Sequence, residues 1–467
     1  MKLNCIDTLL AVSLAAACVT PVSAAQPVHS PADVLACTMA ISGLNIVPMD
    51  REHILSKHTI RFAGDRIVSV QPDGADPMEC DIELDGDGRY VMPGLNDLHG
   101  HIETTAFAEA LGVDYGPVDF PDVFSPYPRY GVTGIRILSG APDILTFRDS
   151  DTASHGAPMI VTSGPMLSGA PPVIGEPLTH IVETEDEARA AVRMQAEAGY
   201  DLIKVRANLP QSIFAAIIDE AGLQGLHVDG HLQSESGLAD VLASGQSGVA
   251  HLFDLTFAVQ AGAIDQASLI AALQACGCYV STTLVVLENI ADQLDDHGAV
   301  LARPEMDHMH PMVAGTFWAP EQNPTLSNPN MPPPAFFRVV LAEAQAMLIA
   351  FEDAGIPVLL GSDALNPMLV HGTAVHDELD LLVEAGLTPY QALRTGTVVP
   401  AEHVPGFEDV GIIAAGRRAN LVLVEGNPLE DHSVLRDPAA VVLNGLWLDA
   451  DALQARVDDA IARYPEP

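Results

Sequence analysis

His99-Gly100-His101 closes the run Val91-Met92-Pro93-Gly94-Leu95-Asn96-Asp97-Leu98, and later short β-like runs close, in order, at or near Lys204, His231, His251 and Asp363. Side chains alternate across a strand with period 2, so His99 and His101 leave an extended strand end on the same side and can grip one metal ion together. Neutral imidazole nitrogens and a carboxylate oxygen are the donors that suit zinc and its neighbours among divalent metals. The pair alone reads equally well as two satisfied polar side chains. The ordered series that follows it is what points to a metal.

Between the two chain ends, β-like runs alternate with amphipathic helical stretches, the pattern of a parallel βα barrel. Candidate strands are Val132 to Leu138, Met159 to Ser163, Leu202 to Ala207, Leu226 to Leu232, Gly248 to Phe253, Tyr279 to Leu284 and Pro357 to Ser362. With the run ending at His99 they make about eight, the number such a barrel needs. Thr184-Glu185-Asp186-Glu187 reads as a capping box, Thr388-Pro389 as an N-cap before a proline at the first helical position, and a helix is predicted from about Pro334 to Ala354. Asn323 to Pro334 reads as an inserted loop. Short strands before residue 92 and after residue 405 suggest one small β-domain built from both ends. In a barrel of this kind the C-terminal strand ends hold the catalytic groups, and all six candidate ligands sit there.

With these residues in this order, the chain resembles the amidohydrolase superfamily, and within it the imidazolonepropionase-like and prolidase-like metal-dependent hydrolases, over roughly residues 35 to 450. The resemblance implies an α/β fold: a TIM-type (β/α)8 barrel over 93–404, with a small β-sandwich-like domain from 34–92 plus 405–450. It implies His99, His101 and Asp363 on the more buried ion, His231 and His251 on the other, and Lys204 between them. An ordinary ammonium has three donors and no acceptor. Lys204 therefore serves as a bridge only as a carbamate formed with carbon dioxide, the alternative being a lysine that snorkels from a strand end. The cofactors implied are two zinc ions per chain and that carbamate.

The chemistry implied is hydrolysis of a carbon–nitrogen bond, in an amide, dipeptide-like or N-acyl substrate. A metal-bridging hydroxide is the nucleophile, because coordination brings the pKa of water to about 7, and Asp363 accepts its proton and passes it to the leaving group. A lactone or ester hydrolase using the same site is the enzymatic alternative, and a non-catalytic metal-binding barrel is the alternative from another class. His180, Arg206 and Tyr279 are candidates for substrate binding. His308 and His310 form a second His-x-His, read as surface residues. Gly100 between the paired histidines and Leu232-Gln233 after His231 depart from the pattern of relatives, which bears on the substrate rather than the metal.

Composition narrows the partners. Lys+Arg 21 against Asp+Glu 62 gives a formal charge of −41, which repels phosphate backbones and anionic lipid surfaces. A small-molecule substrate is expected and nucleic acid is not; a homo-oligomer is compatible with the sequence. Residues 1–24 read as a signal peptide, with Lys2, the apolar run Leu9 to Val19 and the small residues Val22-Ser23-Ala24. The run is too short for a stable membrane span, so a periplasmic or secreted location follows. A lipoprotein acylated at Cys18 is the other reading, although the preferred large apolar residue is missing at the right place. Among the remaining cysteines Cys37 and Cys80 both fall in the small domain, where a bridge is conceivable.

Overall fold

Five strands open the chain: β1 (Met39–Ile46), β2 (Leu55–Ala63), β3 (Arg66–Pro72), β4 (Ile82–Asp85) and β5 (Tyr90–Pro93). The computed structural model describes residues 36–464 except 76–77, 114–115, 117, 151–155, 173–174, 176 and 234–237. The expected signal peptide lies outside the described residues. A central series follows: β6 (Leu95–Gly100), β7 (Val132–Ile137), β8 (Met159–Thr162), β9 (Met166–Ser168), β10 (Thr179–Ile181), β11 (Leu202–Val205), β12 (His227–Gly230), β13 (Gly248–Val249), β14 (Tyr279–Ser281) and β15 (Val358–Leu359). The chain ends with β16 (Leu421–Val424), β17 (Ala440–Leu443), β18 (Leu446–Asp449) and a helix over Ala450–Arg463.

Both chain ends share one sheet, in the order β18-β17-β16-β5-β1-β2-β3 with β4 on β1. The antiparallel pairing of β16 with β5, Leu421 opposite Pro93, joins them. The eight strands form one continuous hydrogen-bonded sheet. Cys37 and Cys80 are bridged, and so are Cys276 and Cys278, a pairing the sequence reading did not anticipate. From Cys37 to Pro467 the chain forms one compact unit.

The central strands pair in parallel as β6-β7-β8 and as β10-β9-β11-β12-β13-β14-β15. Isolated parallel bridges join the two sheets at both sides, Ser163 with Leu202 and Gly100 with Ala364. Leu98 N–H donates to Leu360 O at 2.8 Å, and Asp363 N–H donates to His99 O at 2.6 Å. Gly94, between β5 and β6, admits no side chain, because a Cβ there would lie 2.3 Å from Thr133 Oγ1.

The strands are mostly shorter than their apolar runs. Expected to reach Phe253, β13 ends at Val249, and a helix begins at Leu252 with His251 as its N-cap. A continuous apolar run does not separate a strand from a buried helix. The predicted caps form: Thr184 with Glu187 and Thr388 with Gln391 are both full capping boxes. The helix Pro334–Ala354 is long and apolar enough to cross a membrane by length and composition alone. Here it buries Phe337, Val340, Ala344, Met347, Leu348 and Phe351 in the core, a stripe at helical spacing. His308 and His310 are half-buried rather than surface groups, and His310 caps the helix Pro311–Gly315 by accepting from Met312 N–H. Asn323 in the inserted loop is buried and donates to Gln293 Oε1 at 2.7 Å.

Two buried charges inside this architecture generate predictions. Arg136 on β7 is fully buried; its Nη1 donates to Asp229 Oδ2 at 2.6 Å and its Nε to Leu98 O at 2.6 Å. Arg136→Ala strands Asp229 in the interior and is expected to cost about 3–5 kcal/mol, read from urea unfolding; a loss under about 1 kcal/mol contradicts the interaction. Glu378 accepts from Val285 N–H at 2.7 Å, and burial pushes its carboxyl from 4.5 up to about 7 against the hydrogen bonds from Thr282 and Val285. The folded chain therefore keeps a proton that the unfolded chain loses, and stability falls as pH rises through that window. Glu378→Gln is expected to be more stable than the wild type by about 1–3 kcal/mol at pH 8, with the gap closing towards pH 4.5; a pH-independent gap refutes it.

Candidate metal centre

Strand β6 carries His99, His101 follows just past its end, and the segment after β15 brings Asp363 against them. His99 Nε2 and His101 Nε2 lie 3.3 and 3.0 Å from Asp363 Oδ1. All three offer ligand atoms within 4.8 Å of one another, the one such group among the described residues. His251 stands beside His99, ring centroids 4.6 Å apart, and His231 beside His251 at 4.8 Å.

Each histidine has its Nδ1 committed to a neighbour. His99 Nδ1–H donates to Ala250 O at 2.8 Å, and His231 Nδ1–H donates to Asp254 Oδ2 at 3.1 Å. His101 Nδ1 pairs with Ser139 Oγ at 2.6 Å and His251 Nδ1 with Thr283 Oγ1 at 2.9 Å. Such outer contacts orient rings and leave Nε2 as the ligating nitrogen. Burial holds His251 down at about 3, and His99 and His231 well below the ordinary range. The three rings are neutral at pH 7; His99 and His251 keep a lone pair for a cation, whereas the Nε2 of His231 faces Arg206 Nη1 at 3.0 Å.

Lys204 and Asp363 complete the chemistry. Burial pushes the Lys204 amine down to about 8, against the pull of Asp229 and Asp363, and its Nζ has no hydrogen-bond partner. Burial would raise Asp363, but the hydrogen bond from His101 and the nearby His251, His101 and Lys204 outweigh it and hold the carboxyl at about 2. An orphaned, desolvated amine and an ionised carboxylate thus lie among the imidazoles. That donor set fits a divalent cation.

The substrate-binding candidates separate. Arg206 is in the site, its Nη1 3.0 Å from His231 Nε2. Gln233, singled out in the sequence only as a departure from relatives, holds its backbone there: the Gln233 Nε2 donates to Arg206 O at 2.7 Å and to His231 O at 3.2 Å. His180 lies on β10, which pairs with β9, and no described hydrogen bond or ring contact joins it to the cluster. Tyr279 is corrected. It begins β14, where the candidate strand also began, and is buried with its hydroxyl 3.2 Å from Arg136 Nη1. Its aromatic size and strand register place it in the interior polar set. Gly100 is tight, since a Cβ there would lie 3.1 Å from Ile135 Cδ1.

The model of the amidohydrolase family matches residues 90–448. The chain belongs to the amidohydrolase family. Ochratoxinase of Aspergillus niger is 24% identical over 318 residues, which are 62% of this chain and 56% of that protein. The chain thus matches little more than half the length of that curated relative. Among solved structures, a putative prolidase from Bifidobacterium longum is 26% identical, with a TM-score of 0.67 over 92% of this chain and 100% of that one. A bottromycin amidohydrolase is 22% identical, with a TM-score of 0.70 over 90% of each chain.

For this amidohydrolase, His99→Ala is expected to lower bound divalent metal by about one equivalent per chain, measured by elemental mass spectrometry after purification without chelator. His180→Ala is expected to leave it unchanged. Equal metal content in both variants places the ion elsewhere.

Proposed function

We propose that this amidohydrolase is an exported, metal-dependent hydrolase of carbon–nitrogen bonds, acting on amide, dipeptide-like or N-acyl substrates. The observation that carries it is the convergence of His99, His101 and Asp363 beside His231, His251 and the unpartnered Lys204 Nζ. The family match and relatives named as prolidase, ochratoxinase and bottromycin amidohydrolase support the same bond class. We read the eight parallel strands β6–β8 and β11–β15 as a closed (β/α)8 barrel over 93–404. The bridges from Gly100 to Ala364 and from Ser163 to Leu202 support it. The shared terminal sheet is read as the smaller domain, and the Leu9 to Val19 run supports export.

His99, His101 and Asp363 would hold one zinc and His231 and His251 a second, with Lys204 as a carbamate between them. The neutral amine is the form that adds carbon dioxide, and burial supplies it by lowering the Lys204 pKa. When bound, such ions activate water near neutral pH and polarise a carbonyl. Asp363, ionised at neutral pH, takes a proton from the attacking water and returns it to the departing nitrogen. Arg206, half-buried beside the site and charged, grips an anionic substrate group such as a carboxylate.

Chelator is expected to abolish turnover and zinc to restore it, with an N-acyl amino acid and dipeptide panel preferred over a lactone panel. Asp363→Asn is expected to lose at least about 100-fold in kcat while retaining most of its metal. Turnover confined to lactones overturns the bond class, and near-normal turnover in Asp363→Asn overturns the proton transfer.

A further inference from the structure

The two disulfides differ in what they can do for the fold. Cys37–Cys80 spans 43 positions of sequence and Cys276–Cys278 spans 2. The entropy that a cross-link removes from the unfolded chain grows with the logarithm of the loop it closes, so the second bridge constrains the chain far less than the first. The turn that carries it is also held by other bonds. The helix Gln266–Cys276 ends on Gly277, whose φ of 67° is left-handed backbone that favours glycine and whose N–H donates to Leu273 O at 3.0 Å. Cys278 then leads into β14, its N–H donating to Cys276 Sγ at 3.2 Å. The backbone therefore keeps the two cysteines together without needing the sulfur–sulfur bond.

The two sulfurs are not equivalent. Cys276 is half-buried and lines a cavity of about 530 Å³, within the range of small-ligand sites, about 300–1,000 Å³. Cys278 is 1% exposed and does not line it. A thiolate entering the cavity reaches Cys276 alone. Cys278 Sγ lies 3.2 Å from Gln246 O, an acceptor ready for an S–H once that sulfur is released.

The lining decides what kind of thiol fits. His227 and His403 line the cavity, whereas no Asp, Glu, Lys or Arg among the described residues does, and none of the six metal-ligand candidates is there. On a chain with 62 acidic and 21 basic residues, that is a local gap in negative charge, furnished with two imidazoles that can donate to a carboxylate. We propose that Cys276–Cys278 is a thiol-exchange site, at which a small thiol bearing carboxylates enters this cavity and forms a mixed disulfide with Cys276. The incoming thiol gives up its proton and its thiolate attacks Cys276 Sγ. The bond between Cys276 and Cys278 breaks as the new sulfur–sulfur bond forms. The electron pair leaves on Cys278, which takes up a proton and donates it to Gln246 O. Attack by Cys278 on the mixed disulfide reverses the step and expels the small thiol, so no further oxidant or reductant is consumed.

The test incubates the full-length, metal-loaded protein with glutathione at graded thiol-to-disulfide ratios, traps free thiols by alkylation and maps each cysteine by peptide mass spectrometry. Glutathione is expected on Cys276 and the alkylating group on Cys278, with Cys37–Cys80 still closed at the same ratio. Cys278→Ser, which cannot reclose the bridge, is expected to hold one glutathione per chain on Cys276, and Cys276→Ser to hold none on Cys278. Replacing His227 and His403 together by alanine should slow opening by glutathione at least about 10-fold and leave opening by uncharged 2-mercaptoethanol unchanged. Equal slowing with both thiols overturns the carboxylate contact. Opening of both bridges at one ratio, or of Cys276–Cys278 only in denaturant, identifies a structural bridge and overturns the site. Glutathione on Cys278 overturns the assigned point of attack, and opening by thioredoxin with none by glutathione overturns the small-thiol ligand.

Discussion

One guanidinium sets the level of the strands beneath the candidate metal centre. Arg136 reaches from β7 to Leu98 O on β6, to Asp229 on β12, and to Tyr279 and Ser281 on β14. Those partners sit directly below functional groups: Leu98 precedes His99, Asp229 lies two residues before His231, and Ser281 lies two residues before Thr283, which holds His251. A buried ion pair of this type gains little over well-packed apolar residues once desolvation is counted. Its effect here is positional. A guanidinium has five donors in a fixed planar fork, so only one relative height of these strands satisfies it. The ligand layer above inherits that height.

A second clamp fixes the far side of the same layer. Asp97 Oδ2 accepts from Ser362 Oγ at 2.5 Å, and Asp97 Oδ1 accepts from Ser362 N–H at 3.0 Å. Asp363 follows with φ of 55°, left-handed backbone for a residue with a side chain. Such a conformation costs on the order of 1–3 kcal/mol and persists where its surroundings over-determine it. Here the neighbours do so: Ser362 is tied to Asp97, and Asp363 N–H is tied to His99 O. The backbone that turns the carboxylate towards His99 and His101 is thus held by residues of the same strand that presents those histidines.

The sequence made the candidate ligand set readable and left its supports obscure, for a physical reason. His99, His101, Lys204, His231, His251 and Asp363 announce themselves because each is a polar residue closing an apolar run, and strand period and order are local properties. Ser139, Thr283, Asp254 and the Ala250 carbonyl became partners only through long-range packing, and nothing in their immediate neighbours marks them. Arg136 and Asp229 are intermediate cases. A charge inside the runs Val132 to Leu138 and Leu226 to Leu232 was visible, but its partner was not. Tyr279 shows the converse error: an aromatic hydroxyl near a strand looked like a substrate contact, whereas its position at the start of β14 commits it to Arg136. Strand ends were overestimated where helices followed at once, as after His251, since burial makes both states equally apolar.

The bond between Arg206 and His231 would couple the proposed substrate grip to the proposed metal binding. His231 spends Nδ1 on Asp254, so its only remaining ligating atom is Nε2, and Arg206 Nη1 sits 3.0 Å from it. The nitrogen cannot accept from a guanidinium and coordinate a cation with the same lone pair. Ligation by His231 therefore requires Arg206 to give up that contact. Gln233 holds the Arg206 backbone through its carbonyl, so the side chain can turn away while its root stays in place. Asp363 and Asp254 both favour its charged form against the burial that opposes it. A guanidinium released in this way keeps its charge, has lost a partner, and remains anchored at the edge of the cluster. An anionic group on the substrate is the partner that would satisfy it.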